Sequence, residues 1–118
     1  MTHLSPSELA ELRRALVHER DELRATLAAR ARDSRGIAAE ENDEVDIANR
    51  IVEQEDALRV SGFDRGLLAD VEHALAKLDA GTYGTSEDSG DPIDIGRLRA
   101  MPWARRTLDE EEALARGR

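Results

Sequence analysis

The chain of 118 residues contains no cysteine, which excludes disulfides and thiolate metal sites. It also lacks any run approaching the roughly 18 apolar residues of a membrane span, and its first ten residues lack the apolar core of a signal peptide. We therefore expect a cytoplasmic protein with no membrane partner. Phe, Tyr and Trp occur once each, so aromatic side chains contribute little to the core.

Charged residues are abundant, at 36% of the chain against about 25% in an average protein. This composition is typical of long, solvated helices around a narrow apolar seam. The 26 acidic residues outnumber the 17 basic ones, which gives a net charge of −9. A negative mean field opposes contact with a phosphate backbone, so we predict no direct DNA binding.

Two long helices are predicted. Ser5, Pro6 and Glu8 form a helix start with a capping box. Leucines then recur at helical spacing, which predicts a helix from Pro6 to about Ala31. Turn-forming residues interrupt the pattern, and a second helix is expected from Asn42 or Asp43 to about Leu78.

The predicted fold is all-α: a long antiparallel coiled-coil hairpin with a small C-terminal lobe and a terminal helix. We assign residues 1–80 to the hairpin, with its tip near 33–48, and residues 81–118 to the lobe. Gly81 and Gly84 end the second helix, and a last helix is expected within Trp103–Ala115. No paired nucleophile and base and no phosphate-binding glycine loop is visible, so we predict no enzymatic activity and no cofactor.

Two segments in the C-terminal third of the chain are similar to a known family of proteins. Residues 81–93 (GTYGTSEDSGDPI) and 97–106 (RLRAMPWARR) are similar to the zinc-finger region of the DksA/TraR family of bacterial transcription factors. The hexapeptide DEVDIA at residues 43–48 fits the Asp-x-x-Asp-x-Ala signature at the coiled-coil tip of that family. The resemblance covers about Pro6 to Ala113.

The resemblance implies a partner and a binding site. Members of the family dock on RNA polymerase, pass their coiled coil through its secondary channel, and alter promoter complexes. Carried over, Asp43, Asp46 and Ala48 would be the partner-binding tip of a monomeric regulator of transcription initiation. A purely structural interpretation also stands: Asp43 and Asp46 would favour a helix N-terminus, and Ala48 would lie in the seam.

Two further expectations concern the lobe. The four zinc-binding cysteines of the family correspond to Ser86, Ser89, Thr107 and Glu110, which do not make a zinc site, so no metal is expected. We expect burial of apolar side chains to hold the lobe, with Trp103 as its anchor. Plain turn contacts are the favoured role of Ser86 and Ser89, over hydrogen bonds that replace the metal crosslink. The residues behind the remaining expectations are as follows. The apolar set is Tyr83, Ile93, Ile95, Leu98, Met101, Trp103 and Leu108, and a less favoured carboxylate cation site would use Glu87, Asp88, Asp91 and Asp94.

The basic positions through which some family members bind the alarmone ppGpp correspond to Asp70, Met101 and Glu111. Acidic or apolar side chains there would repel or ignore a polyanion, so we predict no alarmone site. Two other functions stay open at this point. One is a secondary-channel factor that stimulates transcript cleavage, and the other is a helical-hairpin interaction protein with no polymerase role.

Overall fold

The computed structural model describes the backbone of residues 2–37 and 44–117 and the side-chain environments of residues 2–33 and 60–117. Within those residues the regular elements are helices: α1 (Pro6–Ile37), α2 (Glu44–Ala80), α3 (Ile95–Ala100) and α4 (Leu108–Arg116). Extended pairing there is limited to an isolated bridge between Thr85 and Pro92. The all-α prediction is confirmed. Among these residues, no helix combines the length and hydropathy needed to cross a membrane.

Helix α1 starts as the sequence predicts. The Ser5 amide donates to Glu8 Oε1 at 2.8 Å, and the Glu8 amide donates to Ser5 Oγ at 3.0 Å. The helix ends at Ile37, beyond the predicted end at Ala31. Residues such as Gly36 lower helix propensity by only about 1 kcal/mol, which is not enough to stop a helix that is already formed.

Helix α2 begins at Glu44, close to the predicted start, and continues through Gly62 and Gly66 to Ala80. The helix ends because Gly81 adopts a φ of 76°, in the left-handed region. The Thr82 amide donates to the Lys77 carbonyl at 2.9 Å, and the Gly81 amide donates to the Leu78 carbonyl at 3.2 Å. This bond pattern is the glycine helix stop predicted from the sequence.

The contacts of the chain define two compact units. The first unit comprises Met1–Glu19 and Asp70–Arg118, and the second unit comprises Arg20–Ala69. Each contains an ion pair between α1 and α2. In the first unit Arg13 Nη2 lies 2.8 Å from Asp79 Oδ1, and in the second Arg30 Nη1 lies 2.5 Å from Asp64 Oδ2. The two helices are therefore antiparallel, as predicted for the hairpin. The boundary at residue 80 stays a prediction.

The core of the first unit is aliphatic, with one aromatic ring. Tyr83 is buried, and its hydroxyl donates to the Pro102 carbonyl at 2.8 Å. Trp103 is half-buried and is not part of this buried core, so its role as the anchor of the lobe stays a prediction. The buried apolar residues of this unit are Leu4, Leu12, Leu16, Val71, Ala74, Leu75, Tyr83, Ile93, Leu98 and Ala104.

Burial of the other expected lobe residues varies. Ile93 and Leu98 are fully buried, as expected. Ile95 is half-buried. Met101 and Leu108 are exposed, which corrects the expectation that they pack in the core. The interior of the lobe is therefore smaller than its apolar composition suggests.

Candidate functional site

The predicted tip lies largely outside the described part of the chain. Asp43 is outside the described residues. Asp46 and Ala48 belong to the backbone of α2, but their side chains are outside the described set. The tip assignment therefore stays a prediction. The positions that correspond to the zinc ligands and to the alarmone contacts lie within the described residues.

The first pair of zinc-equivalent positions, Ser86 and Ser89, lies in a tight turn at residues 86–91. The Ser86 amide donates to the Asp91 carbonyl at 2.8 Å, and the Gly90 amide donates to the Ser86 carbonyl at 2.9 Å. The Ser86 hydroxyl oxygen accepts bonds from the amides of Asp88 and Ser89, at 3.1 and 3.3 Å. Ser86 is only 4% exposed, so this oxygen is an organised, buried acceptor.

The second pair, Thr107 and Glu110, forms the N-terminus of α4. Thr107 Oγ1 accepts from the Glu110 amide at 3.2 Å, and Glu110 Oε1 accepts from the Thr107 amide at 3.0 Å. This reciprocal capping box starts the helix at Leu108 instead of near Trp103. The Thr-x-x-Glu spacing was present in the sequence and would have predicted the start. It equals the three-residue spacing of a Cys-x-x-Cys pair.

The two pairs meet. The Ser86 hydroxyl lies 3.0 Å from Glu110 Oε2 and donates to it. Hydrogen bonds from the Thr107 amide, from Ser86 and from the hydroxyls of Thr107 and Ser89 lower the pKa of Glu110 to about 2. Ser86 is therefore more than a turn residue, and the expectation of plain turn contacts is wrong for it. We call Ser86, Ser89, Thr107 and Glu110 the oxygen cluster.

The oxygen cluster does not fit zinc. Protein zinc sites use Cys, His and carboxylate ligands, whereas this set offers hydroxyls and one carboxylate. Both oxygens of that carboxylate already accept hydrogen bonds, from Thr107 and Ser86. In residues 2–33 and 60–117, no group of three or more His, Cys, Asp or Glu side chains is arranged to hold a metal ion.

The alternative cation site also finds no support in the described residues. Its carboxylates are used elsewhere: Glu87 binds His73, and Asp88 binds Arg106. Asp94 caps α3 by accepting from the Gly96 amide at 2.9 Å. These side chains therefore do not converge on one point. Hydrogen bonds and nearby cations lower the pKa of Glu87 despite its partial burial.

The three alarmone-equivalent positions, Asp70, Met101 and Glu111, line one cleft of about 450 Å³ in the first unit. Three arginines that sequence reasoning did not single out share this cleft. The remaining lining residues are Arg97, Trp103, Ala104, Arg105 and Arg106. We call it the arginine cleft.

Each arginine of the cleft is engaged within the chain. Arg105 Nη2 lies 2.7 Å from Asp70 Oδ1. Arg106 lies 2.6 Å from Asp88 and 3.4 Å from Glu111, and Arg97 Nε donates to the Arg106 carbonyl at 2.9 Å. Acidic side chains therefore occupy the guanidinium groups of Arg105 and Arg106, which an anionic ligand would need.

The chain is similar to known proteins in sequence and in structure. No family model matches the sequence. The transcription factor DksA2 of Pseudomonas aeruginosa has a solved structure that superposes with a TM-score of 0.86 at 26% identity, over 97% of this chain and 88% of that one. The RNA polymerase-binding transcription factor DksA of Caulobacter vibrioides is 32% identical over 76 residues. General stress protein 16O of Bacillus subtilis is 44% identical over 52 residues.

These matches cover different shares of the relatives. The Caulobacter alignment spans 62% of this chain and 54% of the relative, and the Bacillus alignment spans 44% and 32%. The chain thus spans about half the length of the Caulobacter relative and about a third of the length of the Bacillus relative. The fold and the lobe define the class: an all-helical hairpin protein whose lobe has no cysteine at the positions that resemble zinc ligands. In sequence and in structure the chain is similar to DksA transcription factors, and it contains no cysteine.

Proposed function

We propose that this protein binds RNA polymerase through the secondary channel and modulates transcription initiation. The observation that carries this proposal is the superposition on a solved transcription factor over 97% of the chain. The name of the Caulobacter relative supports the same partner, since it describes a protein that binds RNA polymerase. Asp43, Asp46 and Ala48 are the residues we assign to the contact.

The charge of the chain suits this role. Carboxylates at the end of a helical hairpin can act on basic polymerase residues or on an ion-rich catalytic centre. A net charge of −9 also favours association with a basic channel, and such attraction is screened by salt. Binding should therefore weaken as ionic strength rises.

The test is binding of the purified protein to core RNA polymerase, with and without a cleavage factor that occupies the secondary channel. We expect competition between the two. Asp46→Asn should lose the effect on promoter complexes while the circular dichroism spectrum stays unchanged. Asp21→Asn is the matched control, because Asp21 is an exposed aspartate of α1 whose contact is with the adjacent Arg20.

The other functions give different results. Stimulated cleavage in backtracked complexes, lost in Asp46→Asn, would assign the protein to the cleavage factors instead. Absence of polymerase binding at low salt would leave a helical-hairpin interaction protein. Equal losses in Asp46→Asn and Asp21→Asn would contradict a specific role of the tip and indicate a general effect of acidity.

The arginine cleft supports a regulator that does not respond to alarmone. Asp70 and Glu111 stand where basic contacts would be needed, and they pair with Arg105 and Arg106. Addition of ppGpp should leave the effect on transcription unchanged. An enhancement by ppGpp that is lost when Asp70, Met101 and Glu111 are substituted would contradict this. We propose in addition that the protein acts in the cytoplasm as a monomer, without enzymatic activity, metal or contact with DNA.

A further inference from the structure

We propose that the Glu110 carboxylate joins the 86–91 turn to α4 in place of a bound metal, so that the lobe folds without zinc. We call this connection the carboxylate latch. It concerns the internal structure of the lobe, and it holds whether or not the protein binds RNA polymerase. The inference starts from the disagreement between the zinc-finger resemblance and the residues that occupy the four ligand positions.

The geometry of the latch resembles that of a crosslink. Glu110 sends one carboxylate oxygen to the Thr107 amide of its own helix start and the other to the Ser86 hydroxyl, at 3.0 Å each. Ser86 and Glu110 are 24 positions apart in the chain. One side chain thus connects two segments that a tetrahedral ion would otherwise hold through two ligands from each.

The neighbours of the Ser86 hydroxyl determine which bonds it accepts and which bond it donates. Its oxygen accepts from the amides of Asp88 and Ser89, so its hydrogen is available to a single acceptor. An ionised carboxylate accepts but does not donate, and bonds to a charged acceptor are stronger than neutral ones. Ser86 and Glu110 are therefore matched as donor and acceptor.

A second connection runs beside the latch. Arg106 lies 2.6 Å from Asp88 of the turn and 3.4 Å from Glu111 of α4. Its side chain and those of both partners are between 32% and 47% exposed, so water screens these pairs. Since Ser86 is only 4% exposed, loss of its bond to Glu110 leaves a buried hydroxyl without an acceptor. We therefore assign the main connection to Glu110.

Glu110→Gln separates the latch from the helix cap. Glutamine is accepted at this position of a capping box, so the bond from the Thr107 amide is kept. Its amide nitrogen would then face Ser86 Oγ, which already accepts two N–H bonds. The hydroxyl hydrogen of Ser86 would lose its acceptor. The variant therefore weakens the latch and spares the cap.

The experiment is amide hydrogen exchange on the full chain, measured for residues 111–117 and for α1, in Glu110→Gln, Ser86→Ala and the double variant. We expect exchange in residues 111–117 to rise about fivefold or more in each single variant, since local opening sets the rate. The second substitution should add less than about twofold to the first, because both break one interaction. Rates at Leu12 and Leu16 of α1 should stay unchanged.

Glu112→Gln is the matched control, since Glu112 is exposed on the same helix. It should change exchange by less than about twofold. Equal acceleration in Glu112→Gln and Glu110→Gln, or multiplicative effects of Ser86→Ala and Glu110→Gln, would overturn the latch.

Metal provides an independent arm. The purified protein should contain no stoichiometric zinc, and neither a chelator nor added Zn²⁺ should change exchange in residues 111–117. One equivalent of bound zinc, or faster exchange of α4 in the chelator, would overturn the proposal. The metal measurements identify a lobe that depends on bound zinc, and the variants identify a metal-free lobe that does not depend on the latch.

Discussion

The two compact units of the chain differ in how their described side chains are held. The first unit buries ten apolar residues contributed by the N-terminal segment, α1, α2 and the lobe. In the second unit, over residues 20–33 and 60–69, the buried residues are Leu23 and Ser61. Val60 and Phe63 of that unit are 45% and 73% exposed.

The units also differ in polar contacts. In the first unit Arg99 binds Glu11 through two nitrogens, at 2.9 and 3.3 Å, and so ties α3 to α1. Glu87 of the turn contacts His73 and Lys77 of α2. In the second unit, Arg30 of α1 forms an ion pair with Asp64 of α2.

The comparison indicates where the free energy of unfolding resides. Burial of apolar surface dominates stability, and among the side chains of residues 2–33 and 60–117 it is concentrated in the first unit. Exposed side chains of the second unit, such as Phe63, add little to the fold. Variants in the two units should therefore differ in stability by amounts set by burial.

The largest contrast is expected between Leu98→Ala and Phe63→Ala. Leu98 is fully buried, so its truncation should cost about 2–5 kcal/mol through lost contacts and a cavity. Phe63→Ala in the second unit should stay within about 0.5 kcal/mol of the parent. Urea unfolding followed by circular dichroism measures both. Comparable losses would mean that the second unit carries as much of the stability as the first.

The next effect comes from a single buried hydrogen bond. Tyr83→Phe removes the hydroxyl that donates to the Pro102 carbonyl and leaves that carbonyl without its donor. We expect a loss of about 1–3 kcal/mol in urea unfolding. Burial raises the pKa of Tyr83, so the phenol stays protonated and the bond persists at neutral pH. Thr82→Ala, at an exposed neighbouring position, is the control and should change stability little.

Much of the fold could be predicted from local patterns. The cap at Ser5 and Glu8 and the stop at Gly81 were readable because each depends on residues within one helical turn. Burial of the single aromatic residues was harder to predict, because size alone does not determine how deeply a ring is buried. Trp103 is half-buried although it directly follows the buried Pro102, whereas Tyr83, just beyond the end of α2, is buried.

The oxygen cluster was only half predictable. Its four members were identified by resemblance, and the Thr107-to-Glu110 capping box had a local signal in the sequence. The bond from Ser86 to Glu110 joins residues 24 positions apart, and no short pattern encodes such a contact. The arginine cleft was missed for the same reason, because Asp70 and Arg105 come from distant segments.

A smaller effect, confined to the first unit, is the loss of stability at low pH that comes from Glu110. Native hydrogen bonds hold the pKa of Glu110 at about 2, against an ordinary value of 4.5. The unfolded chain therefore binds more protons between these values, and the stabilisation by Glu110 is complete above pH 4.5 and lost as the pH falls toward 2. The stability difference between the parent and Glu110→Gln should shrink over this range. A difference that stays constant from pH 6 to about pH 2.5 would contradict the assigned shift.

The smallest contrast compares an ion pair between α1 and α2 from each unit. Asp79 and Arg13 are 70% and 45% exposed, whereas Asp64 and Arg30 are 16% and 35% exposed. Because solvent screens the first pair more, Asp79→Asn should cost about 0.2 kcal/mol and Asp64→Asn up to about 1 kcal/mol. Urea unfolding at low and high salt measures both, and high salt should remove the Asp79 effect first. A larger cost for Asp79→Asn would reverse the comparison and show that polar contacts, like apolar burial, stabilise mainly the first unit.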